Sequence, residues 1–299
     1  MYKKQLGIVG HAGAVYTSAF DQLFAYTGSA DRFVTRWDLT SGMQDKFAIK
    51  MDHSIYKIEF IAPELLIVAL SNGAFHIFDV SARIELKHFK QHIHPIFSVA
   101  VNSVKSHFYL GDSDGNFSVW NNESFELLLF LPLSCGKIRD ISVSKDGAHI
   151  LLSCQDGTTR VFDSIGFNEI HTIETHKEGA TIAKFHELFH DLILTGGKDA
   201  HLKIWNWKTE ELIKSIPAHN YVIYSILFMN QGNEFVTGSR DKTIKIWDSS
   251  SYTVKQRLDT KAGGHKHSVN SLTKTSESSF VSTSDDKTLI SWKFEEYEK

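Results

Sequence analysis

Short runs of β-forming residues, separated by turn residues, follow one another along the whole chain. The clearest unit is the segment 235–248, FVTGSRDKTIKIWD, in which two such runs flank a turn at Asp241 and predict a hairpin. The segments 223–228 and 252–258 predict one further strand before the hairpin and one after it. A unit of four short strands is therefore expected.

This unit recurs. Seven times an Asp or Asn stands six residues before a Trp or Phe, at intervals of 41, 42, 42, 43, 42 and 45 residues. The pairs are Asp31/Trp37, Asn72/Phe78, Asp114/Trp120, Asp156/Phe162, Asp199/Trp205, Asp241/Trp247 and Asp286/Trp292. A period of roughly 40 to 45 residues is typical of propeller blades. The predicted fold is all-β: a seven-bladed β-propeller of four-stranded antiparallel blades.

The two ends of the chain fit closure of such a ring. Seven residues follow Trp292, too few for a turn and an outer strand, whereas residues 3–9 form a β-like stretch before His11. Residues 3–9 are therefore expected to supply the outer strand of blade seven. Residues 1–299 are expected to form a single domain, because a ring of repeats builds its core between neighbouring units.

Charge and apolar content narrow the class of protein. The 32 basic and 35 acidic residues give a net charge of −3, without the basic excess of a general nucleic-acid binder. The start lacks a secretory apolar run, and the apolar stretches at 60–70 and 127–133 are too short to span a bilayer. We expect a cytoplasmic protein without membrane insertion. Cys135 and Cys154 match no metal or redox spacing and are expected to be reduced, structural thiols.

Over its whole length the chain resembles the WD-repeat (Trp-Asp) β-propeller family. A Gly-His pair is intact at Gly10-His11 and Gly264-His265, and a Trp-Asp pair at Trp37-Asp38 and Trp247-Asp248. The Trp-Asp element is altered at Phe78-Asp79, Trp120-Asn121, Phe162-Asp163, Trp205-Asn206 and Trp292-Lys293. Seven matching registers support the resemblance despite these losses.

The resemblance implies a buried network of four side chains in each blade: a His before the first strand, a hydroxyl on the second, an Asp in the turn and a Trp on the third. Complete sets are His11/Thr27/Asp31/Trp37, His176/Thr195/Asp199/Trp205, His219/Thr237/Asp241/Trp247 and His265/Ser282/Asp286/Trp292. Incomplete sets are His92/Leu110/Asp114/Trp120 in blade three, Ser134/Leu152/Asp156/Phe162 in blade four and Met51/Val68/Asn72/Phe78 in blade two. Blades two to four are therefore expected to open more readily than the others.

Several segments imitate catalytic or metal sites. His, Asp and Ser or Thr recur together as in a hydrolase triad, but four repetitions with an added Trp indicate a structural role. The segment 186–190, HELFH, matches the zinc-protease pattern but is predicted to be a turn between strands, not a helix. In His92/His94 and His265/His267 the first His belongs to a network position and the second is expected at the surface. No catalytic residue, metal site or cofactor is predicted.

Candidate binding residues follow from the resemblance, which implies docking on the top face around the central channel. Two positions per blade are implied: the residue five after the His position and the residue before the turn Asp. The first set is Tyr16, Tyr56, Phe97, Arg139, Thr181, Tyr224 and Asn270, and the second is Ala30, Ser71, Ser113, Gln155, Lys198, Arg240 and Asp285. The candidates for peptide binding are Tyr16, Tyr56, Phe97, Lys137, Arg139, Lys198, Tyr224 and Arg240.

The expected function is that of a noncatalytic scaffold, monomeric on its own, that binds a protein or peptide. An acidic group would bind over Arg139, Lys198 and Arg240, and an apolar or cationic group would meet the aromatic residues. One alternative is that the aromatic rings only plug the channel mouth. Others are an enzyme with a small-molecule site at that mouth and a weak phospholipid or nucleic-acid binder that uses the basic residues of blades four to six, Lys137, Arg139, Lys198 and Arg240.

Overall fold

A computed structural model describes residues 1–296 and shows that every sheet of this part of the chain has four strands. Six of the seven sheets join four consecutive strands, and the seventh joins the first strand of the chain to the last three. Neighbouring strands within these sheets pair antiparallel. The all-β, seven-bladed β-propeller fold predicted from the period is confirmed.

Blades one to three contain twelve strands. Blade one consists of β2 (Val15–Phe20), β3 (Phe24–Ser29), β4 (Phe33–Asp38) and β5 (Gln44–Lys50). Blade two consists of β6 (Ile55–Ala62), β7 (Leu65–Leu70), β8 (Phe75–Asp79) and β9 (Ile84–Phe89). Blade three consists of β10 (Ile96–Asn102), β11 (His107–Asp112), β12 (Asn116–Asn121) and β13 (Leu127–Pro132).

Blades four to six follow the same plan. Blade four consists of β14 (Ile138–Val143), β15 (His149–Cys154), β16 (Thr158–Asp163) and β17 (Glu169–Glu174). Blade five consists of β18 (Ala180–Phe185), β19 (Leu192–Gly197), β20 (His201–Asn206) and β21 (Glu211–Pro217). Blade six consists of β22 (Ile223–Met229), β23 (Glu234–Ser239), β24 (Ile244–Asp248) and β25 (Val254–Leu258), with 3₁₀ turns at Asn230–Gly232 and Thr260–Ala262.

Blade seven is closed by the N-terminal strand. It consists of β26 (Val269–Ser276), β27 (Ser279–Ser284), β28 (Thr288–Phe294) and β1 (Tyr2–Val9). β1 pairs antiparallel with β28 from Tyr2 opposite Phe294 to Val9 opposite Thr288, with a bulge between Lys4 and Leu6. The prediction that residues 3–9 form this outer strand is confirmed, and the strand begins one residue earlier.

Burial explains why the four strands of a blade have different compositions. β7 reads LLIVAL and is buried at five of its six positions, whereas β9 reads IELKHF and is exposed at five of six. β7 has neighbours on both faces, which explains why all six of its residues are apolar. β9 lies at the edge of its sheet and carries charged residues and a histidine, which discourage edge-to-edge association.

The described chain divides into two compact units, one formed by residues 1–58 with those from Tyr224 onward and the other by residues 59–223. In the first, Tyr2, Val269 and Trp292 belong to one buried cluster. In the second, Phe75 and Trp120 pack with ring centroids 5.0 Å apart inside another. That residues 1–299 form a single domain stays a prediction.

Glycine on the second strand allows neighbouring blades to approach closely. A Cβ added at Gly238 of β23 would lie 2.9 Å from Val269 Cγ1 on β26. The equivalent contact at Gly28 involves Ile55 at 2.5 Å, and the one at Gly111 involves Ile138 at 2.5 Å. A β-branched residue that begins one blade therefore packs against bare backbone of the preceding blade.

Replacing Gly238 by Ala is expected to destabilise the protein by about 1–3 kcal/mol, because the added methyl overpacks the contact with Val269. The same substitution in a Val269→Ala background should cost less, since the clashing Cγ1 is gone. Chemical denaturation of the two single variants and the double variant measures this coupling. Strict additivity would contradict the proposed contact.

Candidate functional site

The buried network of blade one contains all four expected side chains. His11 Nδ1 donates to Asp31 Oδ2 at 2.8 Å, and His11 Nε2 accepts from Thr27 Oγ1 at 2.7 Å. Trp37 Nε1 donates to the same hydroxyl at 2.7 Å. A second hydroxyl, Thr35 Oγ1, lies 2.9 Å from His11 Nε2. Each buried polar group thus has a partner, which fixes the tautomer of the imidazole.

Blades five and seven contain the same network. His176 Nδ1 donates to Asp199 Oδ1 at 2.9 Å, and the corresponding distance from His265 Nδ1 to Asp286 Oδ2 is 3.1 Å. The indole of Trp292 donates to Ser282 Oγ at 2.8 Å. In blade six Trp247 Nε1 donates to Thr237 Oγ1 at 2.9 Å. These contacts agree with the residues assigned from the sequence.

Blade three departs from the sequence prediction. His92 Nδ1 donates to Asp112 Oδ2 at 2.8 Å, and both side chains are completely buried. His92 Nε2 accepts from Ser118 Oγ at 2.8 Å, and Trp120 Nε1 donates to that same oxygen at 2.8 Å. The blade therefore has a full network, with the carboxylate and the hydroxyl supplied from other positions.

The assignment of Asp114 to this network is wrong. Its side chain is 66% exposed and lies 3.7 Å from His94 Nε2 at the surface. Asp112, two residues earlier, instead accepts from the backbone N–H groups of Asp114 and Asn116, each at 2.9 Å, as well as from His92. Leu110 leaves no hydroxyl on the second strand, and Ser118 on the third strand replaces it. In blade one, Thr35 likewise stands two residues before Trp37 and contacts His11. A hydroxyl at this position of the third strand was therefore a sequence signal that could have identified Ser118.

Blades two and four replace the network with apolar groups. Met51, Val68 and Phe78 are buried in blade two, and Leu152 and Phe162 in blade four. Ser134 is exposed, and the free thiol of Cys135 is buried beside it. The polar residues that remain at the turn positions have other partners, because Asn72 Oδ1 accepts from the Ala74 N–H at 3.1 Å and Asp156 lies 3.2 Å from Arg160. Such a replacement can be nearly neutral in stability. The expectation that blades two to four open more readily stays a prediction. For blade three its reason, an incomplete network, no longer applies.

The network of blade five makes stability depend on pH. Burial alone would raise the pKa of Asp199, but hydrogen bonding and the charge of His176 outweigh it and lower the pKa to about 2. Burial also lowers the pKa of the His176 imidazole. The unfolded Asp binds its proton near pH 4, whereas the folded one does so near pH 2. The network's contribution is therefore present above about pH 4 and is lost as the pH falls toward 2.

The Asp199→Asn variant is expected to show a smaller change in unfolding free energy between about pH 4 and 2 than the wild type. The reason is that the substitution removes the carboxyl whose pKa is lowered on folding. Urea unfolding at several pH values in this window measures the slope. An unchanged slope would show that Asp199 does not carry this pH dependence.

Two of the candidate binding residues form an aromatic contact in the first unit. The rings of Tyr16 and Tyr56 meet edge to face, with centroids 5.5 Å apart and an interplanar angle of 77°. Asn270 Nδ2 donates to Val15 O at 3.0 Å and to Asp285 Oδ1 at 2.8 Å. Burial is the largest cause that raises the pKa of the Tyr16 hydroxyl, and the nearby Tyr56 and Asp285 raise it further. We call Tyr16, Tyr56, Asn270 and Asp285 the tyrosine patch.

Three other candidates meet in the second unit. Lys137 Nζ lies 5.2 Å and Arg139 Cζ 4.9 Å from the centroid of the Phe97 ring, within the range of cation–π attraction. All three side chains are half-buried. The ring holds the two cations close together at the start of β10 and β14. We call Phe97, Lys137 and Arg139 the cationic patch.

The remaining candidates are more dispersed. Lys198 is exposed directly after β19, where its backbone N–H donates to Gly179 O at 3.0 Å. Tyr224 is half-buried in β22, and Arg240 is exposed directly after β23. That these residues bind a ligand stays a prediction.

The zinc-protease pattern at 186–190 lies in a turn between β18 and β19, as predicted. His186 is buried, and its Nδ1 accepts from the backbone N–H groups of Leu188 at 3.1 Å and Phe189 at 3.3 Å. Trp207 Nε1 donates to the backbone carbonyl of His190 at 2.9 Å. The residues of this motif therefore stabilise the turn and are not arranged as one face of a helix.

Within residues 1–296, no helix has the length and apolar character that a membrane span requires.

Similar proteins share the repeat. The family model for the WD domain, G-beta repeat, matches residues 127–163, 210–248 and 256–293. The chain is 25% identical over 193 residues to U3 small nucleolar RNA-associated protein 15 homolog of Gallus gallus, covering 64% of this chain and 36% of that protein. It is 30% identical over 132 residues to Jouberin of Mus musculus, covering 40% of this chain and 12% of Jouberin. A match to pre-mRNA-processing factor 17 of Saccharomyces cerevisiae has 37% identity over 84 residues, covering 28% of this chain and 18% of that factor.

The four-stranded blades and their His–Asp–hydroxyl–Trp networks define a β-propeller of repeated units. Together with the three matches of the family model, these features identify WD repeats in this chain. The chain spans less than two fifths of each relative described above. Its propeller is therefore comparable to a part of these longer proteins.

Proposed function

We propose that this chain is a noncatalytic interaction module that binds a protein or peptide on the top face around the central channel. The observation that carries the proposal is the cationic patch, in which Lys137 and Arg139 are held 5.2 and 4.9 Å from one aromatic ring. Packing against Phe97 reduces the conformational freedom that two long side chains would lose on binding. The patch is therefore prepared to bind an acidic peptide segment.

The chemistry of the cationic patch favours a carboxylate or phosphate group. An arginine guanidinium can donate two parallel hydrogen bonds to either group, and the lysine adds a second charge. Lys198 offers a further exposed cation in the same compact unit. We propose the tyrosine patch as a separate docking surface, whose aromatic edges and faces suit an apolar or cationic side chain.

A scaffold role is favoured over an enzyme because the triad-like residues are committed to structure. In blades one, five and seven the imidazole already contacts both the Asp and the hydroxyl, and the hydroxyl also accepts from an indole in blades one and seven. A serine or threonine fixed in this way is not presented to a substrate. We further propose that the protein acts in the cytoplasm and is monomeric until it meets its partner.

Affinity capture from the organism that encodes the protein tests this proposal. The Arg139→Glu variant is expected to recover at least about tenfold less of the principal partner, because like charge repels an acidic segment. Lys145→Glu is the matched control, since Lys145 is exposed beyond the opposite end of the same strand, β14. Tyr56→Ala tests the tyrosine patch separately.

Circular dichroism first confirms that each variant is folded. Equal recovery by wild type, Arg139→Glu and Lys145→Glu would contradict the proposed binding at the cationic patch. Equal recovery by wild type and Tyr56→Ala would contradict only the docking role of the tyrosine patch.

A further inference from the structure

Two histidines and a glutamate converge on the outer strands of blade two. His76 of β8 stands directly opposite His88 of β9, and their rings stack with centroids 4.3 Å apart and an interplanar angle of 8°. His76 Nδ1 donates to Glu85 Oε1 at 2.9 Å. One ligand atom from each of these three residues lies within 4.8 Å of the other two.

A β-bulge brings Glu85 to the same side of the sheet as the histidines. Residues 85 and 88 would point to opposite faces in a regular strand, because their separation is odd. Here Ile77 pairs with Lys87 but Phe78 pairs with Glu85, so β9 contains one extra residue at this point. The Glu85 carboxylate therefore lies on the same face of the sheet as the two imidazoles.

The opposite face of the two strands is anchored to the core. Phe75 pairs with Phe89, and their rings stack with centroids 4.9 Å apart. Both rings also lie 5.0 Å from the indole of Trp120. The backbone under the two histidines is thus held by buried aromatic packing, which limits the reorganisation needed for a ligand.

We propose that His76, Glu85 and His88 bind a divalent transition-metal ion of the zinc class. Two imidazoles and one carboxylate are ligands that zinc prefers, at distances of about 2.0–2.2 Å. An ion at the centre of a triangle with 4.8 Å sides lies about 2.8 Å from each corner, so each ligand atom would move by under about 1 Å. The two stacked imidazole rings would also rotate out of their parallel arrangement, because an imidazole nitrogen binds a metal through a lone pair in the plane of its ring.

The site would leave coordination positions for water or for a group of a binding partner. Glu85 is 45% exposed, and the side chain of His76 is 14% exposed, so solvent reaches the ligands. A metal at this place would lie on the outer strands of the blade and not at the cationic patch. Its open positions could be filled by a His, Cys or carboxylate side chain of a binding partner. Sequence spacing gave no signal for it, because strand register and a bulge create the cluster.

Titration calorimetry of the metal-free, tag-free full chain with Zn²⁺ tests the proposal. We expect one ion per chain, and at least about tenfold weaker binding for His88→Asn and for Glu85→Gln. His171→Asn is the matched control, because His171 Nδ1 also lies 2.9 Å from a carboxylate, Glu210, without belonging to the three-residue group. Its affinity for Zn²⁺ should equal that of the wild type.

A second measurement does not depend on the variants. Imidazole NMR signals of the wild type should shift for His76 and His88 on addition of one equivalent of Zn²⁺, while those of His171 stay in place. Absence of saturable one-to-one binding would overturn the proposal. So would unchanged affinity in His88→Asn, or shifts confined to other histidines.

Discussion

A variant without residues 1–9 is expected to be recovered mainly as aggregate, and any soluble fraction should unfold at a much lower temperature. The truncation removes the strand that pairs with β28 over its length and exposes a new sheet edge beside Ile290 and Trp292, which are buried in the intact protein. It also removes Tyr2, which is 3% exposed and belongs to the core of the first unit. Loss of a buried aromatic alone costs about 3–5 kcal/mol, out of about 5–15 kcal/mol for a typical domain.

Tyr2 accounts for a definable part of this effect. Its backbone N–H donates to Gln256 Oε1 at 2.8 Å, and its carbonyl accepts from Gln256 Nε2 at 2.7 Å. Tyr2→Ala keeps these backbone hydrogen bonds but loses the packing of the ring, so it should destabilise the full chain by about 3–5 kcal/mol. Gln5→Ala, on an exposed side chain of the same strand, should change the stability by less than about 0.5 kcal/mol. Light scattering and thermal unfolding measure both properties. A soluble truncated protein with wild-type melting would contradict the role of β1.

Asp112→Ala is expected to destabilise the protein by about 3–5 kcal/mol, because it leaves the buried His92 without its carboxylate. The same substitution also removes the acceptor for the backbone N–H groups of Asp114 and Asn116. Asp114→Ala is the matched control two residues away. Its exposed side chain makes only a 3.7 Å contact to His94, so the expected cost is below about 0.5 kcal/mol.

Urea unfolding of the two aspartate variants decides which carboxylate serves blade three. An effect of Asp114→Ala equal to or larger than that of Asp112→Ala would restore the assignment made from the repeat register. Ser118→Ala should also destabilise the protein, since Ser118 Oγ contacts both His92 and Trp120 at 2.8 Å. The expected cost is about 1–3 kcal/mol for the groups left unsatisfied.

The sequence was sufficient to predict the blades because each repeat has the same spacing between turn and aromatic residue. It was also sufficient for β1, because the β-like stretch at residues 3–9 stands before the His11 position and outside the four strands expected for blade one. Blade three was mispredicted because a network can keep its geometry while Asp112 and Ser118 supply its oxygens from neighbouring positions. Position in a repeat indicates which residues are near one another, but side-chain reach decides which of them bond.

The candidate site was less predictable for a related reason. Position in the repeat placed Phe97 with the aromatic residues and Lys137 and Arg139 with the cations, but it did not predict that they contact one another. The contact joins side chains of neighbouring blades, β10 and β14, which are about forty residues apart in the chain. The cluster of His76, Glu85 and His88 was missed because a single extra residue in β9 sets which face Glu85 occupies.

Hydrogen–deuterium exchange of the protein, alone and with its captured partner, tests the proposed interaction surface most directly. The account predicts slower exchange in the segments that contain Phe97 and residues 137–139 when the partner is bound. The turn at residues 144–148, beyond the opposite end of β14, should exchange at the same rate in both samples. Protection of that turn, with no change at the cationic patch, would contradict the account.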